Sequence, residues 1–253
     1  MNPKSFFTHG PASSWHKDGS SAVPHCGTGR MIQGILLVAG FLLFETAMFL
    51  YADRPLAAYA KMLDHTDPAL TDFFRSITDF GKSKWYLWPC GLATIFCSFL
   101  SRGKDVKTGY RRLCGYIGVR AFFLFGTIGI SGIVADIIKP LAGRARPLLW
   151  LRDGIYGFSP FTRAGFLWNA MPSGHTTTAF ALAFSLSLLY PRGRPLWFTY
   201  ALLLGASRIM VDAHYLSDVC AGAVLGWMTV RLFAKYGMPC LGKVIFPIDS
   251  PRP

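Results

Sequence analysis

A run of 21 residues, Met31 to Tyr51, carries a single charged side chain, Glu45. About 20 apolar residues in a helix cross the hydrocarbon core of a bilayer, so this run predicts a transmembrane helix. Further apolar runs follow at Trp85–Leu100, Ala121–Ile138, Thr176–Tyr190, Leu196–Val211 and Val219–Phe233. Several are shorter than a full span, so each helix draws on polar residues at its flanks. The expected fold is an all-α bundle of six transmembrane helices. Between the first two spans, Leu56 to Lys84 mixes Asp, Lys and aromatic residues. There Leu70, Phe73, Phe74, Ile77 and Phe80 recur at three- and four-residue spacing, which predicts an amphipathic interfacial helix.

Charged residues make up 15% of the chain and hydrophobic residues 52%. Soluble domains average about 25% charged, so the deficit also points to a membrane protein. The net charge of +13 lies in short clusters between apolar runs. No basic helix or aromatic-basic sheet motif that would read bases is present. Nucleic acid is therefore not the expected partner; anionic lipid headgroups and a phosphate-bearing substrate are. The six cysteines are dispersed and form no CxxC pair, as expected of small buried thiols.

Basic loops at 101–112 (Arg102, Lys104, Lys107, Arg111, Arg112) and 191–195 fall on one side of a six-span chain, together with both termini. The positive-inside rule makes that side cytoplasmic. Arg120 would snorkel at the inner end of the third span. Residues 1–30 form a polar cytoplasmic tail, 31–235 the membrane domain, and 236–253 a second cytoplasmic tail. The opposite loop holds Lys139, Arg144, Arg146, Arg152 and Arg163. Those cations run against the rule: either the loop is too long to control topology, or some of them bind an anion.

Three polar runs stand at the edges of apolar stretches. In KPLAGRARP (139–147), Pro140 should end the third span, and a Gly-containing turn could bring Lys139 and Arg146 to one point. Interfacial anchoring and anion binding both suit that pair. In PSGH (172–175), Ser173 is a natural N-cap ahead of an apolar helix, and Gly174 leaves the helix amides open to an anion. His175 stands beside them, incidental or functional. In SRIMVDAHYLSD (207–218), His214 and Asp218 share a face if one helix includes both. A carboxylate there would fix the imidazole tautomer and stabilise its cation. Arg208 either pairs with Asp212 or Asp218, or faces an anionic ligand. The span order puts all three runs at the outer ends of the third to sixth helices. No cluster has convincing metal spacing, so neither metal nor cofactor is expected.

These runs resemble KxxxxxxRP, PSGH and SRxxxxxHxxxD, the tripartite signature of the type 2 phosphatidic acid phosphatase superfamily. The likeness covers roughly residues 31–235, with no signature position altered, and is nearest to bacterial six-span lipid phosphatases. It implies a metal-independent, two-step hydrolysis of a lipid phosphate or diphosphate on the periplasmic face of the inner membrane. His214 would be the nucleophile, oriented by Asp218, and His175 the acid and then the base. Lys139, Arg146, Ser173, Gly174 and Arg208 would hold the phosphoryl oxygens. Arg144, outside the signature, is left to a headgroup contact. Undecaprenyl diphosphate leads among expected substrates, followed by lipid A and phosphatidylglycerophosphate. A phosphotransferase of the same fold is the enzyme alternative, and a non-catalytic lipid-binding protein the other. Oligomeric state is left open.

Overall fold

The computed structural model describes residues 26–103, 107–161 and 165–242. Lys104, Arg163, residues 1–25 of the N-terminal tail and 243–253 of the C-terminal tail lie outside the described residues. In chain order the α-helices are α1 (Cys26–Ala47), α2 (Asp53–Thr66), α3 (Pro68–Thr78), α4 (Lys84–Arg102), α5 (Thr108–Ala142), α6 (Pro147–Asp153), α7 (Gly174–Leu189), α8 (Arg194–Met210) and α9 (Leu216–Leu232). No strand occurs among the described residues beyond an isolated bridge between Arg144 and Phe158. α1 begins at Cys26, inside the segment expected to be tail, and a π-helical stretch carries α9 on to Gly242.

The chain divides into two compact units, Met1–Phe44 and Glu45–Pro253. In the first, Ile35, Leu36, Leu37 and Leu43 remain exposed, as on a helix that faces lipid. Three helical stretches are long and apolar enough to cross a membrane: Met31–Thr66, Thr108–Ala142 and Leu216–Gly242. α4, α7 and α8 are shorter; the 16 residues of α7 rise about 24 Å. On the outer face of α4, Trp88, Leu92, Ile95, Phe96 and Phe99 are exposed, which marks a lipid-facing stripe. The protein is a membrane protein.

Where one amphipathic helix is expected over Leu56–Lys84, the chain forms two. α2 follows the first span directly, through a π-helical turn at Met48–Ala52. α3 starts afresh because Pro68 takes its first turn and the Asp67 side chain accepts from the Leu70 amide at 3.0 Å. α3 packs on α8, with Leu70, Phe74 and Ile77 half-buried and Phe73 and Phe80 exposed.

The helix expected to stop at Pro140 continues to Ala142. Proline removes only its own bond to residue 136, and the helix is already within its last turn. The stop comes from Gly143, left-handed at φ 58°, whose amide bonds Lys139 O at 2.8 Å. That reversal sends Arg144 and Arg146 back towards the bundle.

In the second unit α4 packs on α5, and α7 packs on α5, α8 and α9. The core holds Cys97, Phe122, Phe123, Ile128, Leu182, Val230 and Phe233. Small and hydroxylated residues set the helix separations. Thr127 and Ser185 bond across α5 and α7 at 3.0 Å. Gly226 lets α9 touch the α7 backbone: a Cβ there would lie 2.8 Å from both Thr177 O and Ala181 N.

Candidate active site

At one end of the bundle the C-termini of α5 and α8 meet the N-termini of α7 and α9. Between them is a cavity of about 430 Å³ lined by Lys139, Arg146, Gly174, His175, Arg208 and His214, together with Asp136, Phe166 and Asn169. The three polar runs of the sequence therefore converge. Three cations face one carboxylate, a balance that suits a phosphate dianion.

Each cation is held differently. Lys139 reaches Asp136 at 2.7 Å, and its Nζ would lie only 3.2 Å from a Cβ on residue 174, so glycine leaves room for the ammonium. Arg146 is buried and donates to three carbonyls: Phe166 O at 2.9 Å, Ala213 O at 3.0 Å and Asn169 O at 3.3 Å. Its guanidinium stacks on the Phe166 ring, 3.7 Å from the centroid. Burial lowers its pKa to about 10, which leaves it charged at neutral pH. Arg208 has no ion pair with Asp212 or Asp218; it donates to Thr78 Oγ1 in α3 and turns to the cavity. The structural bridge to Asp212 or Asp218 is therefore not formed, and the guanidinium faces the cavity.

Ser173 is the N-cap of α7. Its hydroxyl accepts from Thr176 Oγ1 at 2.9 Å, so it is fully buried in the turn and does not line the cavity. The Ser173 amide donates to Asp218 O at 3.0 Å, tying the starts of α7 and α9 together. His175 occupies the first turn of α7 and packs against the α3–α4 turn. A Cβ added at Gly81 would sit 2.7 Å from its Cδ2.

His214 and Asp218 meet by a route other than a shared helix face. α9 begins only at Leu216, so His214 precedes its N-cap, Tyr215. Asp218 Oδ2 accepts from the Tyr215 amide at 2.9 Å and lies 3.6 Å from His214 Nδ1. His214 is buried, and its pKa is lowered to about 4, first by desolvation and then by Arg146 and Arg208, against the opposing pull of Asp218. The imidazole is therefore neutral, with Nδ1 towards the carboxylate.

Arg144 departs from expectation. It does not reach a headgroup; it is 1% exposed and donates to Asp218 Oδ1 and Ser217 Oγ, each at 2.6 Å, and to Asp53. Asp53, Thr78, Gly81, Asp136 and Asn169 were invisible as site residues in the sequence, because none lies in the three runs.

Fold and site together define a membrane-embedded helical protein with a cavity lined by two histidines and three cationic side chains. Residues 120–239 match the model of the PAP2 superfamily. The chain is 35% identical over 176 residues to a lipid A 1-phosphatase of Rhizobium etli, covering 67% of this chain and 74% of that protein. It is 31% identical over 177 residues to the bacitracin transport permease protein BcrC of Bacillus licheniformis, covering 67% and 81%. Its fold resembles the transmembrane PAP2 type phosphatidylglycerolphosphate phosphatase from Bacillus subtilis, with a TM-score of 0.54, 20% identity, and coverage of 81% and 96%. The chain belongs to the PAP2 superfamily.

Proposed function

We propose that this protein is a six-span lipid phosphatase that removes phosphate from a membrane lipid through a phosphohistidine. The observation that carries the proposal is the convergence of His175, His214 and three cations on one cavity at the end of an apolar bundle. α4, α7 and α8, lengthened by polar flanks, complete the six spans, with α3 lying along the interface. The basic loops and both termini then face the cytoplasm, and the cavity faces the periplasm.

His214 Nε2 attacks phosphorus while Nδ1–H turns to Asp218. The 3.6 Å gap closes as the imidazole gains positive charge. His175 takes up a proton as the phosphate dianion enters among the cations, gives it to the departing lipid oxygen, and then takes one from the water that cleaves the P–N bond. Lys139, Arg146, Arg208 and the Gly174 amide hold the phosphoryl oxygens, with Ser173 fixing the helix turn that presents that amide. In phosphoryl transfer such positioning and charge stabilisation supply most of the catalysis. Three fixed cations perform the role that a divalent ion fills elsewhere, so the reaction is metal-independent.

The likeness to a lipid A 1-phosphatase supports testing lipid A first and undecaprenyl diphosphate second as substrates. The test is phosphate release by the purified protein from lipid A, undecaprenyl diphosphate, phosphatidylglycerophosphate and phosphatidic acid. His214→Ala should abolish release with the fold retained; wild-type turnover in that variant refutes the mechanism. A fall in free phosphate on adding an acceptor lipid would instead identify a phosphotransferase.

A further inference from the structure

Beneath the cavity, a closed polar cluster joins Asp218 of the signature to residues outside it. Arg144 bonds Asp218 on one side and Asp53 on the other. Ser217 bridges the carboxylates: its amide donates to Asp53 Oδ1 at 3.0 Å, its hydroxyl donates to Asp53 Oδ2 at 2.6 Å and accepts from Arg144. All three charged side chains are at most 1% exposed. The guanidinium is walled by aromatic rings, with centroids 5.4 Å away for Phe49, 5.2 Å for Phe158 and 4.9 Å for Tyr215. Tyr156 stacks on Phe49 at 4.6 Å and donates to Phe49 O at 2.5 Å, which closes the wall.

We propose that Asp53 and Arg144 are positioning residues for the histidine–aspartate pair, holding Asp218 in place while leaving its negative charge undivided for His214. This rests on His214 being the nucleophile. An Arg144–Asp218 pair by itself would fix the carboxylate but neutralise it, weakening its pull on an imidazolium. The second carboxylate removes that penalty. With His214 neutral, the hydrogen-bonded cluster carries one excess negative charge; once His214 is phosphorylated and cationic, it is balanced. A buried bridge built only to hold the fold gains nothing from an excess carboxylate, since each desolvated charge is costly. An excess that a catalytic step cancels is differential stabilisation of that step. Asp53 reaches the cluster from the start of α2, so that helix is coupled to the chemistry.

The experiment compares wild type with D53N, D53E and R144K, using dioctanoyl phosphatidic acid as probe and normalising to sites counted by vanadate binding. In D53N kcat should fall about 10- to 100-fold, the scale seen when a partner that orients a metal-ligating side chain is removed, with KM within about twofold. Acid-quenched phosphohistidine should form more slowly by the same factor. D53E, which keeps the charge, should recover most of the rate. R144K, which keeps the cation but loses the fork between two carboxylates, should behave like D53N. Wild-type kcat in D53N or R144K overturns the proposal, as does equal loss in D53E and D53N. Failure of all three variants to fold also overturns it, because the cluster would then be holding the fold and not the dyad. Turnover that survives in H214A defeats the phosphohistidine mechanism; an inactive H214A beside a fully active D53N defeats this proposal alone.

Discussion

Gly81 offers a sharp test of how tightly His175 is placed. A methyl at this position would lie 2.7 Å from His175 Cδ2, 2.9 Å from His175 Cβ and 2.7 Å from Leu204 Cδ2. Carbon atoms rest at about 3.5–4.0 Å, so Gly81→Ala demands a shift of about 1 Å. Leu204 is fully buried and cannot rotate away freely. His175 Cβ is fixed to the first turn of α7, so the imidazole and the α3–α4 turn must separate. Overpacking of this kind costs about 1–3 kcal/mol of stability. Displacing a catalytic group by about 1 Å costs about 100-fold in rate, or about 2.7 kcal/mol of transition-state stabilisation. The assay is steady-state phosphate release per folded molecule, with folding checked by size-exclusion in detergent. Gly129→Ala serves as control: its Cβ would lie 3.7 Å from Leu87 Cδ2, an ordinary contact remote from the cavity. Wild-type kcat in folded Gly81→Ala, or equal loss in Gly129→Ala, would refute the placement of His175 as the origin of the effect.

Histidine-selective NMR should find His214 titrating near pH 4, below its ordinary value, because burial and the Arg146 and Arg208 charges oppose protonation. Asp218 favours the cation, so Asp218→Asn should move the midpoint lower still; an upward shift would contradict the assigned contact. A chelator should leave phosphate release largely intact, while vanadate, which mimics the phosphoryl group in flight, should inhibit competitively; strict dependence on an added divalent ion would contradict the proposed role of the three cations. Gly226→Leu should separate α9 from α7, because its Cβ would meet backbone and not a movable side chain. A loss of about 3 kcal/mol, the upper end for overpacking, would then appear as loss of folded protein, and a Tm equal to wild type would count against the α7–α9 contact.

What could be read in advance was whatever a short stretch of chain determines by itself. Ser173 caps α7 because a hydroxyl ahead of an apolar run has free amides to satisfy, and the structure places it there. The pairing of His214 with Asp218 was anticipated from a shared helix face, yet it arises from the start of α9, where Asp218 folds back on the Tyr215 amide. Spacing constrained the partners without revealing the geometry. Pro140 shows the reverse, a local rule overridden because the helix was about to end at Gly143.

Arg144 lay beyond this kind of inference. In sequence it is one more cation in an outer loop, two residues from Arg146 and chemically the same. Arg146 lines the cavity, held by carbonyls of the α6–α7 and α8–α9 connections, whereas Arg144 is buried against Asp53, 91 residues upstream. A guanidinium can be buried only where acceptors already wait for it, and for Arg144 these are two carboxylates walled by rings. Here they come from the start of α2, the loop after α6 and the start of α9, three segments with no common motif. Whether a cation in such a loop binds ligand or supports the residue that does is therefore decided by tertiary partners. In this chain the turn at Gly143 sends one arginine to the cavity and the other to the buried carboxylates, two residues apart.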